Sequence, residues 1–328
     1  MVSIIMPVKN TGDFLTECLA SILSQTYQNW ELIAIDDHSE DESYQMLKSY
    51  RDKDARVKVF KNLGSGIIAA LQLGYRHSQG EFITRMDSDD VMSSEKIALM
   101  VEQLRKRGSG YLSVGLVNYF SAGKLGEGYL NYANWLNKLT LSESNFEEIY
   151  KECSIPSPCW MVARTDFGAC GGFASEVYPE DYDLAFRFRK GGLKIATVPE
   201  VIHQWRDYET RTSRTDKNYA DNRFSELKVM HFEDQDYDAE KPLVLWGAGK
   251  KGKKIAQLLI EHKMEFQWVS NNTNKVGRDI YGVILADMSA LEQLEDAQVV
   301  IAISSPDDSE EINQVMDKNL QNQYYRFF

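Results

Sequence analysis

Apolar residues along the chain fall first into a short run and then into a spaced stripe, and the two patterns keep alternating. Residues 2–8 (VSIIMPV) form a β-branched run that contains Pro7, which reads as a strand. Between 13 and 27, Phe14, Leu15, Cys18, Leu19, Ile22 and Leu23 recur at helical spacing. The alternation repeats with a strand over 30–35 (WELIAI), then a helix opened by a Ser39/Glu42 capping box and running to about Tyr50. A strand over 57–60, a helix over 66–78 and a strand over 81–86 follow. Such alternation implies an α/β fold, a mainly parallel sheet with helices on both faces.

Ligands of such sheets bind beyond the carboxyl ends of the strands, at a switch in strand order. Polar residues gather at those ends: Lys9 and Asn10, then Asp36 and Asp37, then Asp87 to Asp90. Residues 110–175 are less regular and rich in aromatics, as in YLNYANWLNKL. The acidic, apolar-poor stretch 233–241 (EDQDYDAEK) reads as a linker. After it the pattern restarts with LVLW, GAGKKGKKIAQLLIEH, EFQWV and QVVIAIS. The expected organisation is one domain over 1–232 and a smaller α/β domain over 242–328.

An apolar content of 43% with 17 Tyr, 14 Phe and 6 Trp is ample for packed cores. The net charge of −12 speaks against nucleic acid as a partner, yet admits a nucleotide bridged by a cation. Cysteines 18, 153, 159 and 170 form no C-x-x-C pair, which fits reduced thiols, and the five histidines form no ligand constellation. No apolar run reaches membrane-spanning length and no signal peptide precedes the first strand. The expectation is a cytoplasmic protein, at most resting on the inner face of a membrane.

Three of the four residues 87–90 (DSDD) are carboxylates. Strand periodicity continued through them puts Asp87 and Asp89 on one side and Ser88 on the other. Acids so close are costly unless a proton or a hard ion such as Mg2+ or Mn2+ lies between them. The alternative is a polar loop in which Asp90 or Ser93 caps a helix from Ser94, and the D-x-D pattern alone does not separate the two. A second acidic pair, Glu180-Asp181, opens a helix with Pro179 just outside, where acids complement the helix dipole.

In this order, VSIIMPVKN, LIAIDDHSEDES, GEFITRMDSDD, GGF (171–173) and EDYDLAFRFRKGG (180–192) resemble the motifs of family-two glycosyltransferases, over roughly residues 2–216. The resemblance implies the GT-A fold, with residues 110–175 suited to an acceptor-binding part. It implies inverting transfer of a hexosyl or N-acetylhexosaminyl group from a nucleotide-sugar donor, most commonly a UDP-sugar, with Mn2+ or Mg2+ as cofactor. The acceptor would be a hydroxyl of a glycan, glycolipid or protein. On the matching positions, Pro7, Val8 and Asn10 line the nucleotide pocket, and Asp37, helped by Asp36, bonds the base. Asp87 meets ribose or metal and Asp89 is the main metal ligand. Asp181, supported by Glu180, is the base that takes the acceptor proton. Trp205, Arg206, Arg211 and Arg214, in HQWRDYETRTSRTD (203–216), either close over the diphosphate or form a solvated loop. Lys9 is a departure, since many relatives carry an aromatic there.

Gly247, Gly249 and Gly252 form a G-x-G-x-x-G between strand and helix, the context of a dinucleotide fingerprint, but Ser270 and Asn271 stand where an acid would hold the ribose. The segment resembles a Rossmann-like domain appended to some bacterial sugar transferases, for which regulation, homo-oligomer or partner assembly, or vestigial nucleotide binding is the expected role. Two other functions compete. A nucleotidyltransferase would need a glycine- and arginine-rich phosphate loop, which PVKNTGDF (7–14) lacks. A non-catalytic scaffold would have little use for intact D-S-D-D and E-D pairs.

Overall fold

A computed structural model of the chain describes residues 1–211, 224–303 and 309–328. Two compact units divide it: Met1–Ile149 with Cys153–Arg214, and Tyr150–Glu152 with Thr215–Phe328.

The first unit runs β1 (Val2–Val8), α1 (Gly12–Leu23), β2 (Trp30–Asp36), α2 (Ser43–Arg51), β3 (Val57–Lys61), α3 (Ile67–His77) and β4 (Phe82–Arg85). It continues with β5 (Val91–Met92), α4 (Lys96–Arg107), β6 (Tyr111–Phe120), α5 (Glu127–Leu141), β7 (Trp160–Ala163), α6 (Arg164–Ala169), α7 (Glu180–Lys190) and β8 (Lys194–Arg206). One sheet takes the order β3-β2-β1-β4-β7-β6-β8-β5. The first four strands are parallel, as the alternation implies. Beyond β4 the sheet is mixed: β7 runs antiparallel to β4 and β6, β8 parallel to β6, and β5 antiparallel to β8. The stretch that looked irregular in sequence therefore contributes the ten-residue strand β6.

Burial on both faces explains the near-continuous apolar runs of β1 and β2. Leu15, Cys18, Leu19 and Ile22 bring the stripe of α1 onto the same core as Ile4, Met6, Leu32 and Met86. Each such Leu or Ile contributes about 1.5–3 kcal/mol. Besides Asp36 at its end, β2 buries one further acid, Glu31. Its carboxylate accepts from Ser3 Oγ (2.6 Å), Lys58 Nζ (2.7 Å) and the Gln79 N–H (2.6 Å). Burial pushes its pKa up, and those hydrogen bonds more than reverse the effect, so it ends below the usual value.

Pro7 sits inside β1 without breaking the sheet. Ile5 O accepts the Met86 N–H on the β4 side, whereas Val8 O accepts the Asp37 N–H on the β2 side. By alternation Pro7 faces the β4 side, where the ladder has ended at the Ile5–Arg85 pair, so no donor is missed.

Two local expectations give way. Ser39 does not cap α2; its Oγ accepts the Asn10 N–H (3.1 Å), and Asp41 Oδ1 takes the Ser43 N–H (3.0 Å). A side chain reaching another strand end thus wins over the local box. Strand geometry also stops at Arg85: residues 87–90 form a turn, closed by Asp90 N–H to Asp87 O (3.2 Å), so the two-sided alternation does not apply.

The second unit holds α8 (Phe224–Gln235), β9 (Leu243–Trp246), α9 (Lys250–Glu261), β10 (Gln267–Val269), β11 (Asp279–Ile280), β12 (Val283–Ala286), α10 (Ser289–Glu292), β13 (Gln298–Ile301), α11 (Ser309–Lys318) and β14 (Gln323–Arg326). Helix α8 groups with this unit and holds residues 233–235, so the contacts divide the chain upstream of the acidic stretch. Its sheet order is β11-β12-β10-β9-β13-β14, parallel except for β11. Gly247 has a φ of +117°, and a Cβ on Gly252 would lie 2.1 Å from Gly247 O. Those two glycines are required by the tight strand-to-helix turn, whatever else the loop does. No helix among the described residues is long and apolar enough to cross a membrane.

The β1–β4 junction is a sensitive point for packing. A Cβ on Gly80 would sit 2.5 Å from the backbone nitrogen of Ser3. Gly80→Ala is expected to cost about 1–3 kcal/mol, read as a lower urea midpoint; an unchanged midpoint would show that the junction yields freely.

Candidate active site

Strand order reverses across β1, with β2 and β3 on one side and β4 on the other. The carboxyl ends of these strands carry Lys9 to Thr11, Asp36 and Asp37, and Met86 to Asp90. Thr11 Oγ1 donates to Ser88 Oγ (2.9 Å), tying the loop after β1 to the D-S-D-D turn.

Each carboxylate there has a distinct set of partners. Asp87 Oδ1 accepts from Arg85 Nε (2.9 Å), and the same guanidinium donates through NH1 to Glu180 Oε1 (2.8 Å). Asp90 is fully buried, with Oδ1 on the Arg206 N–H (2.8 Å) and Oδ2 on His203 Nε2 (3.0 Å). His203 Nδ1 in turn meets the buried Lys96 Nζ (3.1 Å). Since Lys96 donates to Nδ1, His203 carries its hydrogen on Nε2 and donates to Asp90; this tautomer follows from the partners. Burial, reinforced by Lys96, holds the His203 pKa well below its ordinary value, so the ring is neutral. Asp90 and Ser93 therefore do not cap the next helix. Asp90 anchors the turn to β8 instead.

Asp89 Oδ2 accepts from Tyr208 OH (2.8 Å). Burial, then Asp90 and Asp87, push its carboxyl up to about 6. Asp181 receives a hydrogen bond from the Tyr182 N–H (2.8 Å). Burial first and Glu180 second push Asp181 up to about 7, against the pull of Arg85. Further along α7, Arg187 bonds Asp183 (2.8 Å), Cys170 O (2.8 Å) and Gly172 O (2.7 Å), which fixes the GGF turn against the acidic helix.

The strand-end residues named from sequence take specific places. Asp37 is enclosed by Asn62 Nδ2 (2.7 Å), the Gly66 N–H (3.1 Å to each oxygen) and Lys9 Nζ (3.5 Å). Asp36 Oδ1, by contrast, is buried with no hydrogen-bond partner among the described residues. The open acceptor beside the strand ends is therefore on Asp36, while protein donors occupy Asp37. Val8 is buried and Pro7 partly so, and Asn10 Oδ1 accepts the Glu40 N–H (2.8 Å), joining two loops.

After β8, Trp205 is buried against Tyr119 and Tyr132, so it packs instead of covering a ligand. Arg206 donates from Nε to Asp89 O (2.8 Å), reaches Glu17, and lies over Phe14 and Phe120. It braces the turn. Arg211 is near enough to Asp90, Tyr119 and Asp89 to be held charged by them despite its burial. Arg214 lies outside the described residues. Sequence reading missed Arg85, Lys96 and Tyr208; the only signal was two cations at buried positions, Arg85 in an apolar strand and Lys96 on the apolar stripe of α4.

Residues 3–170, just over half of the chain, match the family model described as Glycosyl transferase family 2. The chain belongs to glycosyl transferase family 2. It is 35% identical over 120 residues to glycosyltransferase GlyG of Streptococcus pneumoniae serotype 4, which covers 36% of this chain and 40% of that relative. It is 32% identical over 113 residues, 34% of this chain and 44% of the relative, to an Escherichia coli protein, UDP-Glc:alpha-D-GlcNAc-diphosphoundecaprenol beta-1,3-glucosyltransferase WfgD. The chain thus spans less than half the length of these curated relatives. Staphylococcus aureus TarS 1-349 in complex with UDP-GlcNAc superposes with a TM-score of 0.56 at 16% identity, over 81% of this chain and 73% of that one. Mannosyltransferase PcManGT of Pyrobaculum calidifontis, in complex with GDP-Man and Mn2+, gives 0.52 at 19% identity, over 79% and 69%. The mixed sheet of the first unit is accordingly the GT-A fold expected from sequence.

His203→Ala leaves a buried Asp90 oxygen without its donor, and should lower stability by about 1–3 kcal/mol in urea unfolding. Wild-type stability in that variant would mean that the Lys96–His203–Asp90 chain does not hold the turn.

Proposed function

We propose that the chain is a metal-dependent inverting glycosyltransferase that moves a sugar from a UDP-sugar to a hydroxyl of a glycan, glycolipid or protein acceptor. The observation that carries this reading is the joining of the D-S-D-D turn and the E-D helix start through Arg85, at the strand ends of a family-2 fold. Relatives named for UDP-Glc, or found with UDP-GlcNAc or GDP-Man, support a nucleotide-sugar donor. The buried, unpartnered Asp36 Oδ1 suits a ring N–H of a base such as uracil, with Asp37 and Asn62 shaping the wall behind it.

Among the described residues no group of three or more His, Cys, Asp or Glu side chains is placed to hold a metal by itself. Mg2+ and Mn2+ suit one or two carboxylates plus donor phosphate oxygens, and Asp89, whose pKa is raised by burial and then by Asp90 and Asp87, fits that role with Asp87 beside it. When bound, such an ion would offset charge on the departing diphosphate. Arg211 adds positive charge near the same acids.

Asp181 is the base of this proposal. Its carboxylate takes the proton from the acceptor hydroxyl as that oxygen attacks the anomeric carbon, opposite the leaving nucleoside diphosphate. A pKa pushed up to about 7 makes it an effective acceptor near neutral pH. Glu180, bound to Arg85, supports the helix start. The second unit would serve regulation or assembly as a Rossmann-like domain, and the enzyme would work in polysaccharide, glycolipid or glycoprotein synthesis at the cytoplasmic face.

Asp181→Asn should lower kcat by about 10²–10⁴-fold while UDP with Mn2+ still raises the melting temperature. Full turnover in this variant would remove Asp181 from the mechanism. Because the base must be deprotonated, kcat/KM should fall as pH drops through about 7, the value to which Asp181 is pushed; a flat profile from pH 5 to 8 would speak against it. Asp89→Asn should abolish the Mn2+-dependent part of the UDP thermal shift.

A further inference from the structure

Arg85 is a cation at the last position of a buried parallel strand, with only 7% of its side chain exposed. Removing a guanidinium from water is expensive, and close carboxylates offset that cost. Burial disfavours its charged form, and Asp87, Glu180 and Asp181 more than restore it. The fork is used in two directions: Nε faces Asp87 (2.9 Å), in the turn after its own strand, and NH1 faces Glu180 (2.8 Å), on the first turn of α7. These partners are 22% and 11% exposed, so both pairs are largely shielded from solvent.

The result is a division among five acids. Asp90 is held by His203 and the Arg206 N–H, and Asp87 and Glu180 by Arg85. Asp89, bonded to the neutral Tyr208 hydroxyl, and Asp181, bonded to a backbone N–H, have no direct ion pair among the described residues. Resting on the transferase reading above, we infer that Arg85 is a positioning residue that holds Asp87 and Glu180 as counter-ions and so leaves Asp89 to a divalent cation and Asp181 to the acceptor proton. A lysine could neutralise one of the two acids at a time, whereas the planar fork engages both in fixed directions. Arg85 touches neither the reacting hydroxyl nor the metal in this scheme; it acts through the two carboxylates it orients.

The test compares full-length wild type with Arg85→Met, Arg85→Lys and the charge-compensated Arg85→Met/Glu180→Gln. Calorimetry with Mn2+ alone reads the turn, and kcat and KM for a UDP-sugar that wild type turns over read the base. Loss of Arg85 leaves Asp87 without its cation, so Arg85→Met should bind Mn2+ about tenfold more tightly. Its kcat should fall about 100-fold, with KM for the donor within about threefold. Arg85→Lys should recover part of kcat. A purely structural arginine would not make metal binding tighter. Should Arg85→Met fail to fold, the double variant removes the orphaned Glu180 charge and carries the same Mn2+ expectation. Mn2+ affinity equal to or weaker than wild type, or a kcat within about threefold of it, would overturn the proposal. Wild type that binds no Mn2+ and releases no nucleotide from any UDP-sugar would overturn the transferase reading itself, and this proposal with it.

Discussion

Five carboxylates share the end of β4 and the start of α7, and their mutual repulsion is the constraint that the surrounding structure answers. Each answer draws on a different element. Strand β4 supplies Arg85, helix α4 supplies Lys96, and β8 supplies His203 and the Arg206 N–H. The loop after β8 supplies Tyr208. The mixed half of the sheet, in which β8 runs beside β6 and β5, is what brings the last three against the turn that follows β4. A sheet that stayed wholly parallel through β4 and then stopped would leave Asp90 buried without a partner.

How much of this is legible in the sequence depends on distance along the chain. The first four strands and the helices between them follow from local periodicity, and the acids of the site stand out by type and position. The partners that sort those acids do not, because Arg85 and Glu180 are 95 residues apart and Asp90 and His203 are 113 apart. Local rules also lose where a remote group competes. Ser39 offers a capping box, but its hydroxyl serves Asn10 across the crevice; the D-S-D-D run would continue the strand by periodicity, but β4 has already ended at Arg85 and the run folds into a turn. Asp37 looks like the base acceptor by position, yet protein donors enclose it and leave the vacant oxygen on Asp36.

The second unit is a milder case. Its strand-and-helix pattern is readable, and two of its three motif glycines answer to the turn itself, one through a positive φ and the other through close approach of Gly247 O. Gly249 shows no such demand, since a Cβ there meets nothing within 4 Å among the described residues. The fingerprint spacing is therefore explained in part by backbone geometry, without reference to a cofactor.

Pro7 has a consequence beyond tolerating its strand. Any segment that slid along β4 to lengthen its pairing with β1 would reach a position that cannot donate, so the two strands part at a set length. The gap between their ends is then a property of covalent chemistry, kept open by a tertiary amide without a hydrogen where a secondary amide would invite closure.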